Sequence, residues 1–148
     1  YEIAKEYPKV DFGDMIIDNM AMQLVMRPQQ FDIIVTTNLF GDIISDLASG
    51  LVGGLGVTPG ANIGEDYAVF EAVHGSAPDI AGLNKANPTA ILFSALMMLR
   101  HLDMDEYYER IHAATLKTLA DTEVRTADLG GKGSTKSFTE AICRNLDK

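Results

Sequence analysis

A single cysteine, Cys143, sets the first limit on this chain. One thiol builds no intrachain disulfide framework, no CxxC pair and no cysteine-rich zinc cluster, so stability has to come from a packed core. A length of 148 residues with 47% hydrophobic side chains is enough for one. Basic residues are also scarce: 12 Lys and Arg stand against 21 Asp and Glu, a net charge of −9. Phosphate backbones are bound by basic surfaces, so nucleic acid is not an expected partner. No apolar run approaches the roughly 20 residues of a membrane-spanning helix, and no secretory signal pattern is visible, so no membrane partner is expected either. Missing too is a GxGxxG fingerprint between a strand and a helix. Gly53-Gly54-Leu55-Gly56 lacks that spacing, which argues against a Rossmann nucleotide site.

What is present alternates between strand and helix patterns, the mark of α/β architecture. The opening Tyr1-Glu2-Ile3-Ala4-Lys5 reads as the middle of an amphipathic helix that Pro8 closes, without an initiator Met, as in a piece of a longer protein. Helical spacing resumes from Met20 and stops at Pro28. Phe31 to Thr37 is a continuous β-rich run, as expected of a strand buried on both faces. A helix is expected from about Gly41 to Leu51, then a glycine-dense segment, Gly50 to Gly64, whose part near residues 50 to 60 suits a hinge between two structural halves. Ala68 to Glu71 is a short strand candidate running into the loop His74-Gly75-Ser76-Ala77-Pro78-Asp79. Three helices follow: Pro88 to about Leu102, 104 to 121, and Ser137 to Leu146, the last preceded by a loop with Asp128-Leu129-Gly130-Gly131. Met97-Met98-Leu99 is expected in the core.

Asn38-Leu39-Phe40-Gly41-Asp42-Ile43-Ile44-Ser45-Asp46 lies where the β-rich run hands over to a helix, the usual place for ligands in α/β folds. Asp42 and Asp46 are four apart, so on a helix they share a face and repel. Each has an ordinary explanation: an acid near a helix start is favoured by the macrodipole, and Asp46 fits solvated surface. Set between apolar runs at this junction, the pair also suits a hard cation such as Mg²⁺ or Mn²⁺, which binds through few carboxylates and keeps several waters. Asp18 is a third acid of the same character, and spacing alone does not join it to the others. In the loop after the strand candidate, the small residues Gly75, Ser76 and Ala77 leave backbone amides open to an anionic or polar ligand. His74 and Asp79 add a ring and a hydroxyl acceptor. A lone loop histidine is more often structural.

Taken in order, these segments resemble one family. Residues 38–47, Pro-Gly-Ala-Asn-Ile-Gly (59–64), His-Gly-Ser-Ala-Pro-Asp-Ile-Ala-Gly (74–82), Asn-Pro-Thr-Ala (87–90) and Met-Met-Leu-Arg-His (97–101) are similar to the isocitrate/isopropylmalate dehydrogenases, without an obvious gap. The resemblance implies a non-Rossmann, two-lobed α/β fold of which this chain is the C-terminal portion, with 1–52 in the smaller, dimer-forming lobe and 53–148 in the larger, cofactor-binding lobe. It implies that Asp42 and Asp46 bind the metal and that Asp18 is lent to the same metal by a neighbouring protomer. His74, Gly75, Ser76, Ala77, Asp79, Ile80 and Asn87 would line the adenosine half of the cofactor, with Glu71 near the nicotinamide end.

NADP-dependent members of the family carry Lys-Tyr where this chain has Asp79-Ile80. An Asp there would repel a 2′-phosphate and accept from a free 2′-hydroxyl, so the resemblance implies NAD. The implied reaction is oxidation of a 2-hydroxy acid with hydride transfer to NAD, Mg²⁺ or Mn²⁺ acting as Lewis acid, and loss of CO₂. Residues 50–56 and 59–64 look more like isocitrate than isopropylmalate dehydrogenases, leaving 3-isopropylmalate and homoisocitrate as alternatives. The family's proton-transferring Tyr and Lys lie upstream of these motifs, so Tyr1 and Tyr7 are not assigned those roles, and turnover by this chain alone is not expected. A non-catalytic regulatory subunit is the rival reading, opposed by retention of the acids. Bacterial cytoplasm and mitochondrial matrix both fit.

Overall fold

A computed structural model describes residues 1–146 and divides into two compact units, Tyr1–Ala48 and a second that begins at Ser49. In the first unit only a short 3₁₀ turn, Ile3–Glu6, stands where a longer helix was expected. A stretch this short does not sustain an α-helix without packing, and none of residues 1–16 is buried. Helix α1, Ile17–Met26, is anchored by the buried Leu24. It ends at Arg27, whose φ of −149° leaves the helical region, as expected of a residue before proline. Helix α2, Asn38–Val52, starts earlier than Gly41: the Gly41 amide already donates to the Thr37 carbonyl at 2.8 Å. Its buried side centres on Ile44, with Gly41 and Leu47 half-buried.

The buried strand expected over 31–37 is not formed. These residues join no ladder among the described residues, and Ile33 and Val35 are 82% and 92% exposed. A strand exists only where a neighbour supplies backbone partners; β-branched side chains favour a sheet position without creating one.

After α2, Gly53 and Gly54, with φ values of 123° and 99°, turn the chain in a way a side chain would resist. The glycine-dense segment then carries regular structure: a 3₁₀ turn, Leu55–Val57, and strand β1, Pro59–Ile63. β1 pairs antiparallel with β2, Ala68–Ala72, placing Gly60 opposite Glu71. A Cβ on Gly60 would stand 3.0 Å from Val73 Cγ2 and 3.1 Å from the Glu71 carbonyl, so the pairing leaves little room for a side chain there. Helix α3, Thr89–His101, packs on this hairpin. Its fully buried Ser94 hydroxyl accepts from the Gly60 amide at 3.2 Å, and its one hydrogen faces the carbonyls of Glu71 at 2.7 Å and Ala90 at 3.0 Å. α3 buries Thr89, Ala90, Ser94 and Leu96; Met97 and Met98, expected in the core, face outward.

Helices α4, Asp105–Leu119, and α5, Thr135–Leu146, close the core around Ala114, Phe138 and Ile142, with Leu92, Leu119 and Leu146 against them. The buried Thr115 and Thr118 hydroxyls donate to the Ile111 and Ala114 carbonyls one turn back, which removes the cost of burying them. Asn84, at φ 58°, accepts the first amides of α5: its carbonyl takes Thr135 N–H at 3.1 Å and its Oδ1 takes Lys136 N–H at 3.0 Å. Helix-start amides have no partner within the helix, so this cap matters. Asn84→Ala is expected to destabilise the full-length polypeptide by about 1–2 kcal/mol, through the lost cap and the left-handed backbone. Thermal unfolding checks it; an unchanged midpoint would show that the cap contributes little.

Candidate functional site

Asp42 and Asp46 lie on one face of α2, both exposed, and no Lys, Arg or His among the described residues forms an ion pair with either. Because α2 begins at Asn38, Asp42 sits in the second turn, where the macrodipole has faded. The helix-start explanation for this acid therefore fails. Two carboxylates one turn apart repel by a few tenths of a kcal/mol, and nothing in the unit offsets it. They share the exposed side with Leu39, 64% exposed, and Ile43, 54% exposed. A face mixing bare acids with bare aliphatics is poorly adapted to water alone. Asp18 occupies the first turn of α1, exposed, with its Oδ1 accepting its neighbour's amide (Asn19) at 2.6 Å. Helical spacing puts Met22, Val25 and Met26 on its face, each at least half exposed. Among the described residues, no three His, Cys, Asp or Glu side chains converge into a cation-holding group, so one chain does not bring Asp18 to Asp42 and Asp46. As donors the paired acids fit Mg²⁺ or Mn²⁺: hard oxygens, few in number, open to water and a further ligand.

In the second unit, the hairpin delivers Glu71 to the end of β2, its Oε1 accepting from Asn62 Nδ2 at 2.8 Å and its carbonyl held by Ser94. The loop beyond it is open. His74, Gly75, Ser76, Ala77 and Asp79 are exposed and Ile80 is half-buried. His74 Nδ1 lies 2.8 Å from the Gly75 carbonyl, which fixes the ring only locally. A Cβ on Gly75 would meet nothing within 4 Å, so glycine there leaves the backbone accessible and serves no internal packing need. Ala77 has φ 40°, a left-handed conformation that non-glycine residues avoid at roughly 1–2 kcal/mol; such strain gathers where a loop is shaped for a ligand. Its carbonyl accepts the Ile80 amide at 3.1 Å, closing the turn that presents Asp79. Asn87, at the far end, is half-buried and accepts from Thr89 while donating to Asp128 Oδ2 at 2.8 Å.

Sequence reasoning passed over Asp128 and Asn84. The only signal for Asp128 was its glycine-rich company, Gly130, Gly131 and Gly133. The Tyr1 hydroxyl bonds Asp14, which pushes the phenol above its ordinary value. That contact belongs to the exposed N-terminal segment and reaches none of the residues above.

Residues 1–142 match the family model described as isocitrate/isopropylmalate dehydrogenase. The chain belongs to that family. A mitochondrial NAD isocitrate dehydrogenase from Arabidopsis thaliana, its catalytic subunit 5, is 58% identical over 146 residues, covering 98% of this chain and 39% of the relative. An isocitrate/homoisocitrate dehydrogenase from Thermus thermophilus is 57% identical, covering 98% and 43%. A mitochondrial regulatory subunit of NAD isocitrate dehydrogenase from Dictyostelium discoideum is 51% identical, covering 98% and 41%. The crystal structure of isocitrate dehydrogenase from Methylococcus capsulatus superposes with a TM-score of 0.94 at 52% identity, covering 99% of this chain and 44% of that one. The fold is thus a C-terminal portion of the isocitrate dehydrogenase fold, and the chain spans about two fifths of the length of the curated relatives it matches. No described helix is long and apolar enough to cross a membrane.

Proposed function

We propose that this chain carries the metal-binding acids and the adenosine side of the cofactor site of an NAD-dependent, decarboxylating isocitrate dehydrogenase. The observation that supports this most directly is the acid pair Asp42 and Asp46, exposed on one helix face without a cation of the protein's own. A bound Mg²⁺ or Mn²⁺ would polarise the substrate hydroxyl and the neighbouring carboxylate as a Lewis acid. Asp42 and Asp46 would hold it from one protomer and Asp18 from its dimer partner. The exposed apolar residues beside all three acids support such a covered, shared face.

His74, Gly75, Ser76, Ala77, Ile80 and Asn87 would receive the adenosine half of NAD, Asp79 would accept from the ribose 2′-hydroxyl, and Glu71 would lie toward the nicotinamide. In lobe terms, residues 1–52 would belong to the smaller, dimer-forming lobe and 53–148 to the larger, cofactor-binding one. The relatives are more than twice as long, so turnover is proposed for the full-length polypeptide and not for these residues alone.

The test supplies the full-length protein with Mn²⁺, NAD and each of isocitrate, homoisocitrate and 3-isopropylmalate, following NADH and CO₂. Isocitrate is expected to give the highest kcat/KM. Preference for either rival would transfer the assignment to that substrate, and homoisocitrate is the nearer rival given the Thermus relative. The similarity to a regulatory subunit supports a second reading, a non-catalytic component of a heteromeric enzyme. Retention of Asp18, Asp42 and Asp46 favours the catalytic one. A full-length protein that binds isocitrate yet turns over none of the three acids would favour the regulatory role.

A further inference from the structure

The turn from Thr126 to Gly133 is built more tightly than a surface connection requires. It holds a 3₁₀ segment, Ala127–Leu129, ended by Gly130 at φ 72°. A Cβ on Gly131 would fall 2.0 Å from the Arg125 carbonyl oxygen, and one on Gly133 would fall 1.8 Å from that of Val124. No L side chain fits at either position, so the backbone on both sides of the turn is in direct contact. Thr126 inside it is fully buried. The turn carries an exposed carboxylate, Asp128, which accepts from Asn87 Nδ2 at 2.8 Å across 41 residues of sequence.

The orientation of the Asn87 amide follows from its other neighbour. The Thr89 backbone N–H, 3.0 Å away, can only donate, so the atom it faces is Oδ1; the Thr89 hydroxyl donates to the same oxygen at 2.6 Å. Nδ2 is thereby turned toward Asp128. One of its two hydrogens serves that charge-assisted bond, stronger than a neutral one. The other is left for a ligand. Gly56, in the 3₁₀ turn before β1, completes the arrangement. A Cβ there would stand 2.9 Å from Asp128 Oδ2 and 3.4 Å from the Asn87 side chain.

We propose that Asp128 is a positioning residue for the cofactor, fixing the Asn87 amide so that its remaining hydrogen is aimed at a ring-nitrogen acceptor of the adenine. This rests on the reading of Asn87 as an adenosine-side residue. Asp128 touches no cofactor atom; it acts through Asn87, and Gly56 keeps the space open.

Variants of the full-length polypeptide test it, with KM for NAD and kcat read separately at saturating substrate and Mn²⁺. Asp128→Ala is expected to raise KM for NAD about tenfold, the scale of one hydrogen bond to a charged group, with the loss falling on KM in preference to kcat. Asp128→Asn keeps an acceptor of the same reach and is expected to restore KM to within about threefold of the parent. Gly56→Ala, which drives the carboxylate off Nδ2, is expected to raise KM in the same direction. In a double-mutant cycle, Asn87→Ala with Asp128→Ala is expected to match Asn87→Ala alone, because the second residue works only through the first. Multiplied effects, or Asn87→Ala raising KM while Asp128→Ala does not, overturn the proposal and leave the cofactor reading standing. If Asn87→Ala leaves KM unmoved, the adenosine reading of Asn87 fails and the proposal with it. Should Asp128→Ala not fold, Asp128→Ser, polar but too short to reach Nδ2, carries the same expectation.

Discussion

Replacing Asp79 with Lys and Ile80 with Tyr in the full-length polypeptide is expected to move the ratio of NAD to NADP efficiency toward NADP by on the order of a hundredfold or more. The reason is electrostatic and local. NADP differs from NAD by a phosphate on the 2′-oxygen, which carries nearly two negative charges at neutral pH. Asp79 is exposed in the turn closed by the Ala77 carbonyl and the Ile80 amide. A carboxylate presented there accepts a hydrogen bond from a free hydroxyl and repels a phosphate. The substitution removes that repulsion and adds an ammonium and a phenol. Two such changes, each on the scale of one charge-assisted hydrogen bond, give the stated shift. The measurement is kcat/KM for both cofactors with the same acid substrate and metal. A ratio that stays where it was would remove Asp79 from the ribose and with it the electrostatic account of cofactor choice. Loss of activity with both cofactors alike would instead show that the turn collapsed, which the retained Ala77 carbonyl bond argues against.

Much of the site region was legible because its signals are local. The short strand candidate Ala68 to Glu71, Pro88 at the start of a helical pattern and the spacing of Asp42 and Asp46 each report on a few consecutive residues, and the structure has β2, α3 and α2 there. Two misses have a shared physical cause. β1 was hidden because glycine and proline suggest loose chain, yet Gly60 lies in close approach to Glu71, a fact about its partner strand. Phe31 to Thr37 erred the other way: its β-rich composition states a preference, but a ladder needs a second backbone, and none of the described residues supplies it. The link between Asn87 and Asp128 was beyond reach for the same reason, since 41 residues separate its ends and nothing in either tetrapeptide names the other. Family resemblance reached further than spacing did. It assigned a role to Asp18, which the geometry of one chain leaves apart from the acid pair.

That separation makes the metal assignment testable in a way a single-chain site would not be. Asp46→Asn in the full-length polypeptide is expected to weaken Mn²⁺ binding and lower turnover together by roughly a hundredfold or more, since loss of a direct ligand should exceed the 10–100-fold cost of losing a supporting group. Asn keeps the shape of Asp and removes one of two like charges four apart, so the metal-free helix should be no less stable and slightly favoured. A metal-free melting point that holds while Mn²⁺ affinity falls therefore separates a ligand from a structural residue. Unchanged Mn²⁺ dependence would take Asp46 out of the site. Asp18→Asn is expected to abolish activity equally when it is the only chain present. Mixed in equal amounts and reassembled, the two inactive variants should regain activity: a hybrid dimer has one site with both Asp18 and Asp46 intact, and a second with neither. If Asp18 and Asp46 served the same metal from one chain, every site in every hybrid would lack one of them and mixing would restore nothing. Recovery to about a quarter of the parent rate is what random pairing predicts, since half the dimers are hybrids and each hybrid has one of its two sites complete.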